Sequence, residues 1–192
     1  MDDPYCWPGT SCLRNKLGIR DEDELARKEA RIASIRDVEI SRTTLPGSYN
    51  LHHLQAFHRS LFQDVYAWAG ETRTVDIHKG DSSFAHWRFI DDQVSVVLAA
   101  VADAGQLVGY SETDFLHELA SLYGDLNAYH PFREGNGRCL RAFLRQLGAA
   151  AGYRLDWTEL SRKDNVEACR ANLTTGDTTA LVAVLRPVVR RI

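Results

Sequence analysis

The chain has 192 residues, of which 44% are hydrophobic and 26% charged, proportions typical of globular proteins. Its formal net charge of -3 leaves no overall basic field, which argues against a protein that coats nucleic acid. No apolar run approaches the roughly 20 residues of a membrane span, and the first residues lack the pattern of a secretory signal, so we expect one soluble, cytoplasmic domain over 1–192.

Most of the chain shows apolar side chains at spacings of three and four, the pattern of amphipathic helices. Asp21, with Glu24 three residues later, has the arrangement of an N-cap with a capping box. After an irregular lead-in over 1–20, the pattern predicts helices over 21–40, 51–67, 89–104, 112–128, 138–151, 162–173 and 178–190.

Residues 71–86 interrupt the helical pattern. TRTVDI alternates polar and apolar residues, and HKGDSS follows as turn chemistry around Gly80. This stretch predicts a short β-hairpin, or flap, which is the only strand-like piece that the pattern indicates. The fold class is therefore predicted to be all-α with one small β excursion.

HPFREGNGR, at 130–138, lies between two predicted helices. Gly135 and Gly137 permit positive φ and let the backbone approach a ligand closely. The amides at the start of the following helix favour an anion, and Asn136 adds a side-chain donor. This part of the motif predicts a phosphate site.

The charged residues of the motif refine that prediction. Arg138 and Arg141 lie three apart on the new helix, so two guanidinium groups share a face and suit a polyphosphate. Glu134 would repel phosphate by itself but suits a Mg²⁺ ion that bridges phosphate oxygens. His130 suits a general base, because its side chain titrates near neutral pH. Phe132 is predicted to anchor the loop in the core.

Each of these features also has a structural interpretation. Gly-Asn-Gly before a helix is common capping chemistry, and a histidine followed by proline is often a turn. The joint occurrence of base, acid, glycines and arginines within 130–141 favours an active site.

These residues match the motif H-x-F-x-[D/E]-G-N-G-R-x-x-R at every specified position from His130 to Arg141, so the chain resembles the Fic family. YAWAGETRTVDIHKGDSSFAH (66–86) resembles the family's flap region. DPYCWPGTSCLRNKLGI (3–19) is similar to the lead-in of small bacterial Fic toxins, including the Fic part of some secreted effectors. The resemblance implies the Fic fold, a helical bundle with a short β-hairpin flap beside the active-site loop.

The resemblance also implies an activity, protein adenylylation (AMPylation): AMP moves from ATP to a Tyr, Ser or Thr hydroxyl of a target protein. His130 resembles the catalytic base and Glu134 the ligand of Mg²⁺. The first residues of the next helix resemble the α-phosphate cradle, and the two arginines resemble the holders of the β- and γ-phosphates. The ATP-binding residues implied are Gly135, Asn136, Gly137, Arg138 and Arg141.

The flap is implied to bind the backbone of the target by strand addition, the usual way in which an exposed strand edge recognises a peptide. The flap residues concerned are Lys79, Gly80, Asp81, Ser82 and Phe84. His78 and His86 are further candidates for lining the target groove. The scattered His58 and His117 show no metal-ligand spacing, and we expect surface or flap roles for them.

Fic proteins are commonly inhibited by a helix carrying [S/T]-x-x-x-E-[G/N]. No glutamate of this chain has Ser or Thr four residues before it, so the motif is absent from the sequence. The resemblance therefore implies inhibition in trans, by a small antitoxin that presents a glutamate to Arg141.

The resemblance to small bacterial Fic toxins points to type II topoisomerase subunits, gyrase and topoisomerase IV, as targets, with no direct nucleic-acid contact. If the chain is the Fic part of a secreted effector, its place is the host cytoplasm. Two alternatives stay open: a Fic-fold phosphotransferase or other nucleotidyl transferase, and a non-catalytic nucleotide-binding module.

Overall fold

The computed structural model describes residues 3–80 and 82–192. Helices form most of this part of the chain, so the predicted all-α class is confirmed. The helices are α1 Glu22–Ser41, α2 Leu51–Phe62, α3 Ile90–Asp103, α4 Glu112–Tyr129, α5 Asn136–Ala150, α6 Arg162–Thr175 and α7 Thr179–Leu185. The strands are β1 His78–Lys79, β2 Ser82–Ser83, β3 Tyr153–Leu155 and β4 Val189–Arg191.

α1 begins where the capping pattern places it. The side chain of Asp21 accepts a hydrogen bond from the Glu24 amide at 2.7 Å, which confirms the predicted N-cap. Three residues of α1, spaced four apart, are buried, and the helix packs against α2 and α5 through this face. The three are Leu25, Glu29 and Ala33, so one member of the stripe carries a carboxylate.

α4 and α5 position the loop that carries the motif. Both helices bury one face in a common core with α2, and α5 does so through Leu140, Phe143, Leu144 and Leu147. α4 ends at Tyr129 and α5 begins at Asn136, so the intervening loop lies where the two helices meet.

α2 ends earlier than the sequence predicts. The helix predicted over 51–67 stops at Phe62, whose carbonyl accepts from the amides of Val65 and Tyr66, each at 2.9 Å. The chain then turns and brings Tyr66 and Trp68 together, with ring centroids 4.2 Å apart. These turns place aromatic side chains behind the motif loop, where a longer helix would have carried them away.

The alternating segment over 72–77 is not a strand, and that part of the hairpin prediction is wrong. The paired residues are only His78 with Ser83 and Lys79 with Ser82. The physical reason lies at Arg73, whose side chain would face solvent on a strand but is fully buried and bonded to backbone carbonyls.

A second sheet, which the sequence pattern does not indicate, joins β3 to β4. The helix predicted over 178–190 stops at Leu185, because Pro187 lacks an amide hydrogen and cannot continue it. The chain then pairs with β3 in antiparallel register, Leu155 opposite Val189. The other predicted helices agree with the structure within two residues at each end.

Among the described residues, no helix combines the length and the apolar character that a bilayer span requires.

Candidate active site

The loop between α4 and α5 has left-handed backbone at both ends. His130 terminates α4 with a φ of 47°, and its amide donates to the Leu126 carbonyl at 3.1 Å. Gly135 is the N-cap of α5 with a φ of 80°. A Cβ at Gly135 would lie 2.3 Å from Cζ of Phe62, so the position demands glycine by space as well as by φ.

The His130 ring lies between the loop and the flap. It stacks on Phe84 with centroids 3.9 Å apart and an interplanar angle of 21°. Its Nδ1 lies 3.2 Å from the carbonyl oxygen of Asn127. Since a carbonyl can only accept, Nδ1 carries the proton in this contact, and the lone pair of the neutral ring lies on Nε2. That tautomer is the one a base acting through Nε2 requires.

The start of α5 has the backbone groups that suit an anion. Gly135 provides no side-chain cap, and the amides of Asn136, Gly137 and Arg138 have no intrahelical acceptor, since the first such bond runs from the Cys139 amide to the Gly135 carbonyl. The helix dipole adds a partial positive charge at the same point. These amides can bind phosphate oxygens directly.

The Asn136 side chain is engaged within the loop. Its Oδ1 accepts from the Phe132 amide at 2.8 Å, and its Nδ2 donates to the Phe132 carbonyl at 2.7 Å. Phe132 is fully buried and stacks on His58, which confirms its predicted role as the anchor of the loop. The prediction that Asn136 cradles a phosphate stays a prediction, and its backbone amide is the group placed for it.

The two motif arginines lie at the same end of α5 in different surroundings. The Arg138 guanidinium lies over the Phe62 ring, 4.8 Å from its centroid, and Arg138 Nη2 is 3.5 Å from Glu134 Oε1. The Arg141 guanidinium lies against the helix start, since a Cβ at Gly137 would be 3.2 Å from its Nη1. No carboxylate in residues 3–80 or 82–192 forms an ion pair with Arg141.

Glu134 suits a Mg²⁺ ion that arrives with a nucleotide. Its side chain is 46% exposed beside the helix start, and Oε1 accepts from the Gly135 amide at 2.8 Å. The described part of the chain holds no cluster of three or more His, Cys, Asp or Glu that would bind a metal alone. Mg²⁺ is usually held by one or two carboxylates together with substrate phosphates, so the single carboxylate of Glu134 beside the helix start fits such an ion.

The predicted flap lies beside the loop. β1 and β2 pair around Gly80, which has a φ of 58°. Asp81, one of the predicted target-binding residues, lies outside the described residues. The Ala85 amide donates to the Ala128 carbonyl at 3.1 Å and joins the end of the flap to α4. Phe84, predicted to contact the target, contacts the His130 ring in this structure.

Sequence reasoning missed Arg73, which is 1% exposed. Its Nε donates to the His130 carbonyl at 2.8 Å, and Nη2 donates to the Tyr129 carbonyl at 3.1 Å. On the flap side, Nη1 donates to the Val75 carbonyl at 2.6 Å and Nη2 to that of Ala85 at 2.5 Å. One guanidinium therefore joins both ends of the flap to the residue predicted as the base.

His58 was expected at the surface or in the flap, and that prediction is wrong. It is 0% exposed; its Nδ1 accepts from the Gly70 amide at 2.8 Å and its Nε2 lies 3.0 Å from the Glu134 carbonyl. Burial is the main reason that the pKa of His58 is lowered to about 4; the bond to the Glu134 carbonyl opposes this change, and the Arg138 charge adds to it. Its place on the apolar stripe of α2, four residues after Leu54, was the available signal.

Glu29 was also missed, although its place in the buried stripe of α1 marks it. It is 5% exposed, its Oε2 accepts from the Tyr66 hydroxyl at 2.8 Å, and its Oε1 contacts Arg138 Nη2. Burial raises the pKa of the Glu29 carboxyl, although Arg138 and Tyr66 both lower it and Glu134 raises it.

A profile of the Fic/DOC family matches residues 48–147. The protein adenylyltransferase VbhT of Bartonella schoenbuchensis is 42% identical over 87% of this chain, which spans only 35% of that relative. The Escherichia coli K12 protein named "Probable protein adenylyltransferase Fic" is 35% identical over 97% of this chain and 92% of its own length.

Among solved structures, the effector protein BepC of Bartonella tribocorum with bound AMPPNP has a TM-score of 0.92 and 25% identity. The match covers 98% of this chain and 97% of that one.

Replacing Arg73 by Met leaves the four carbonyls that it serves without a donor. We expect the free energy of unfolding to fall by about 3 kcal/mol or more, since each unsatisfied buried acceptor is costly. Urea denaturation measures this. Arg154→Met, at a side chain that is 73% exposed, is the matched control and should change stability by less than about 0.5 kcal/mol. Equal losses in the two variants would contradict the assigned role of Arg73.

His58 should make the protein sensitive to acid. Its pKa of about 4 when folded lies below the ordinary 6.5, so this contribution to stability is present above pH 6.5 and is lost as the pH falls towards 4. A pKa difference of that size corresponds to about 3 kcal/mol. In urea titrations from pH 7 to 4.5, His58→Gln should lose less stability than the wild type, whereas His52→Gln, at an exposed neighbour, should match it. An unchanged pH dependence in His58→Gln would show that His58 titrates normally.

Proposed function

The chain belongs to the Fic/DOC family, and on that premise we propose that it is a protein adenylyltransferase, which transfers AMP from ATP to a side-chain hydroxyl of a target protein. The Fic fold expected from the motif is confirmed by the likeness to BepC. The observation that carries the proposal is the loop itself: His130 stands at one end, and the open amides of α5 with Arg138 and Arg141 stand at the other.

The proposed reaction begins with a proton transfer. His130 Nε2 takes the proton of the target hydroxyl, whose oxygen attacks the α-phosphorus of ATP in line. A new P–O bond forms to the target, and the bond between the α-phosphorus and the bridging oxygen breaks. Pyrophosphate leaves with the electron pair. The contact of Nδ1 with the Asn127 carbonyl holds the ring in the tautomer that this step needs.

The phosphates would lie along the start of α5. The amides of Asn136 and Gly137 suit the α-phosphate, where negative charge develops in the transition state. Arg138 and Arg141 suit the β- and γ-phosphates, since guanidinium forks meet phosphate in bidentate geometry. Mg²⁺, when held by Glu134 and the phosphates, would neutralise charge on the leaving group.

The flap is proposed to hold the target. The two-residue strands β1 and β2 expose backbone that an extended peptide can pair with, and Phe84 places the flap directly on the His130 ring. In this proposal the backbone of Lys79, Gly80 and Ser82 positions the target hydroxyl near the base.

Regulation in trans is part of the proposal. Within the described residues Arg138 has carboxylate partners, whereas Arg141 has none, which leaves its guanidinium for a glutamate supplied by a small antitoxin. Type II topoisomerase subunits are the proposed targets on the resemblance to small bacterial Fic toxins. The location stays a proposal as well: the cytoplasm, or the host cytoplasm if the chain belongs to a secreted effector.

Removing the base should stop the transfer. His130→Ala should lower the rate of label incorporation from [α-³²P]ATP into a lysate protein by about 10²- to 10⁴-fold, the usual contribution of a general base. His117→Ala, at an exposed histidine of α4, is the control and should label at the wild-type rate. Mass spectrometry of the labelled band should show added AMP, whereas added phosphate would favour a phosphotransferase. Wild-type labelling by His130→Ala would contradict the mechanism.

Co-expression tests the antitoxin. The isolated chain should slow growth and label its target, and a co-expressed small neighbour gene product that binds it should suppress both effects. Suppression should depend on one glutamate of that partner, because the proposed contact is an ion pair with Arg141. An isolated chain that is neither toxic nor more active than the complex would refute this regulation.

A further inference from the structure

Glu29 is a buried carboxylate that the proposed chemistry does not use. It lies on the face of α1 that packs against the core and is 5% exposed. Removing a carboxylate from water is unfavourable unless it is paired and hydrogen-bonded. Oε2 accepts a hydrogen bond from the Tyr66 hydroxyl at 2.8 Å, and Oε1 forms an ion pair with Arg138 Nη2 but accepts no hydrogen bond from the described residues.

The neighbours of Glu29 on the buried stripe of α1 are apolar. Leu25 and Ala33, one turn away on either side, fill the same stripe of α1 with apolar atoms. Replacing a buried ion pair by apolar residues of similar volume is often neutral or stabilising. A reason for the carboxylate of Glu29 must therefore be sought at its partner, Arg138.

Arg138 is held on two sides. The Phe62 ring lies 4.8 Å from Cζ, and the Nη2 corner faces Glu29 and Glu134. Nε and Nη1 donate to no residue within 3–80 or 82–192, so three N–H groups remain for a ligand at the start of α5.

The two carboxylates beside Arg138 differ in their exposure to solvent and in how firmly they are held. Glu134 is 46% exposed, lies 3.5 Å from Nη2, and is the residue proposed to hold Mg²⁺. Glu29 is enclosed and fixed by Tyr66, so its contact with Arg138 persists when Glu134 turns to a metal ion.

We propose that Glu29 is a positioning residue for Arg138: it fixes one corner of the guanidinium so that the remaining donors meet a phosphate of ATP. The inference rests on the proposed function, since it assumes that Arg138 binds nucleotide. An arginine fixed in advance loses less rotamer freedom on binding, and this preorganisation raises affinity. Net charge acts in the opposite direction, because removing a carboxylate near the phosphates would by itself favour ATP.

The experiment uses Glu29→Gln, which keeps the length of the side chain and the acceptor for Tyr66 but removes the charge. Initial rates of label incorporation at varied ATP should show a KM for ATP raised about 5- to 20-fold, with kcat within about twofold. Calorimetric titration with Mg-ATP should show the same rise in Kd, and the melting temperature should not fall. Glu22→Gln, exposed on the first turn of α1, is the matched control and should match the wild type in all three measurements.

A double-mutant cycle tests whether Glu29 acts through Arg138. In an Arg138→Gln background, Glu29→Gln should raise the Kd for Mg-ATP no further. Glu29→Asp keeps the charge but draws it away from Arg138, so it should raise the Kd as Gln does, and it serves as the second variant if Glu29→Gln fails to fold.

Several results would overturn the inference: an unchanged or lower Kd in Glu29→Gln, wild-type affinity in Glu29→Asp, or an equal rise in the Arg138→Gln background. A lower melting temperature with unchanged ATP affinity would show a merely structural role. Wild-type protein that binds Mg-ATP but labels no protein would refute the proposed transferase while the Kd comparison still decides on Glu29. Wild-type protein that binds no Mg-ATP would refute both.

Discussion

Arg73 carries its positive charge into the interior and donates to the carbonyls of four residues, two at the end of α4 and two at the ends of the flap. The left-handed turn at His130 exposes a carbonyl that no helix bond satisfies, and this guanidinium satisfies it. One side chain therefore supports both the backbone at the predicted base and the two ends of the flap. A lysine has the charge but not the planar set of five donors that reaches four acceptors at once.

Packed aromatic rings support the loop from the side of the core. His58 stacks on Phe132 and remains neutral, because burial holds its pKa at about 4. Phe62 lies so close to Gly135 that no side chain fits there. The amides at the start of α5 are thus fixed before any phosphate arrives, which is the condition for electrostatic catalysis at a preorganised site.

The two arginines of the motif differ in their carboxylate partners. Arg138 shares its charge with Glu29 and Glu134, and Arg141 meets no carboxylate in the described residues. A phosphate and an inhibitory glutamate are both anions, so the two can compete for an arginine that has no carboxylate partner. An arginine that is fixed by a buried carboxylate is harder for an inhibitory glutamate to displace. In the proposals above both arginines bind phosphate, Glu29 positions Arg138, and Arg141 is the one left open to an inhibitory glutamate.

Apolar spacing along the chain predicted where the helices lie, although α2 and α7 end earlier than it indicates. The motif of His130 to Arg141 was also readable, because its residues are neighbours in the sequence. The hairpin around Gly80 was also predicted, but the second sheet was not, because Tyr153–Leu155 pairs with Val189–Arg191, which lies far along the chain. Glu29, His58 and Arg73 lie 57 to 101 residues before His130, and tertiary packing brings them to the loop or to the start of α5. Their signals were local and weak, since a polar side chain on an apolar stripe shows burial but not the partner that makes the burial favourable.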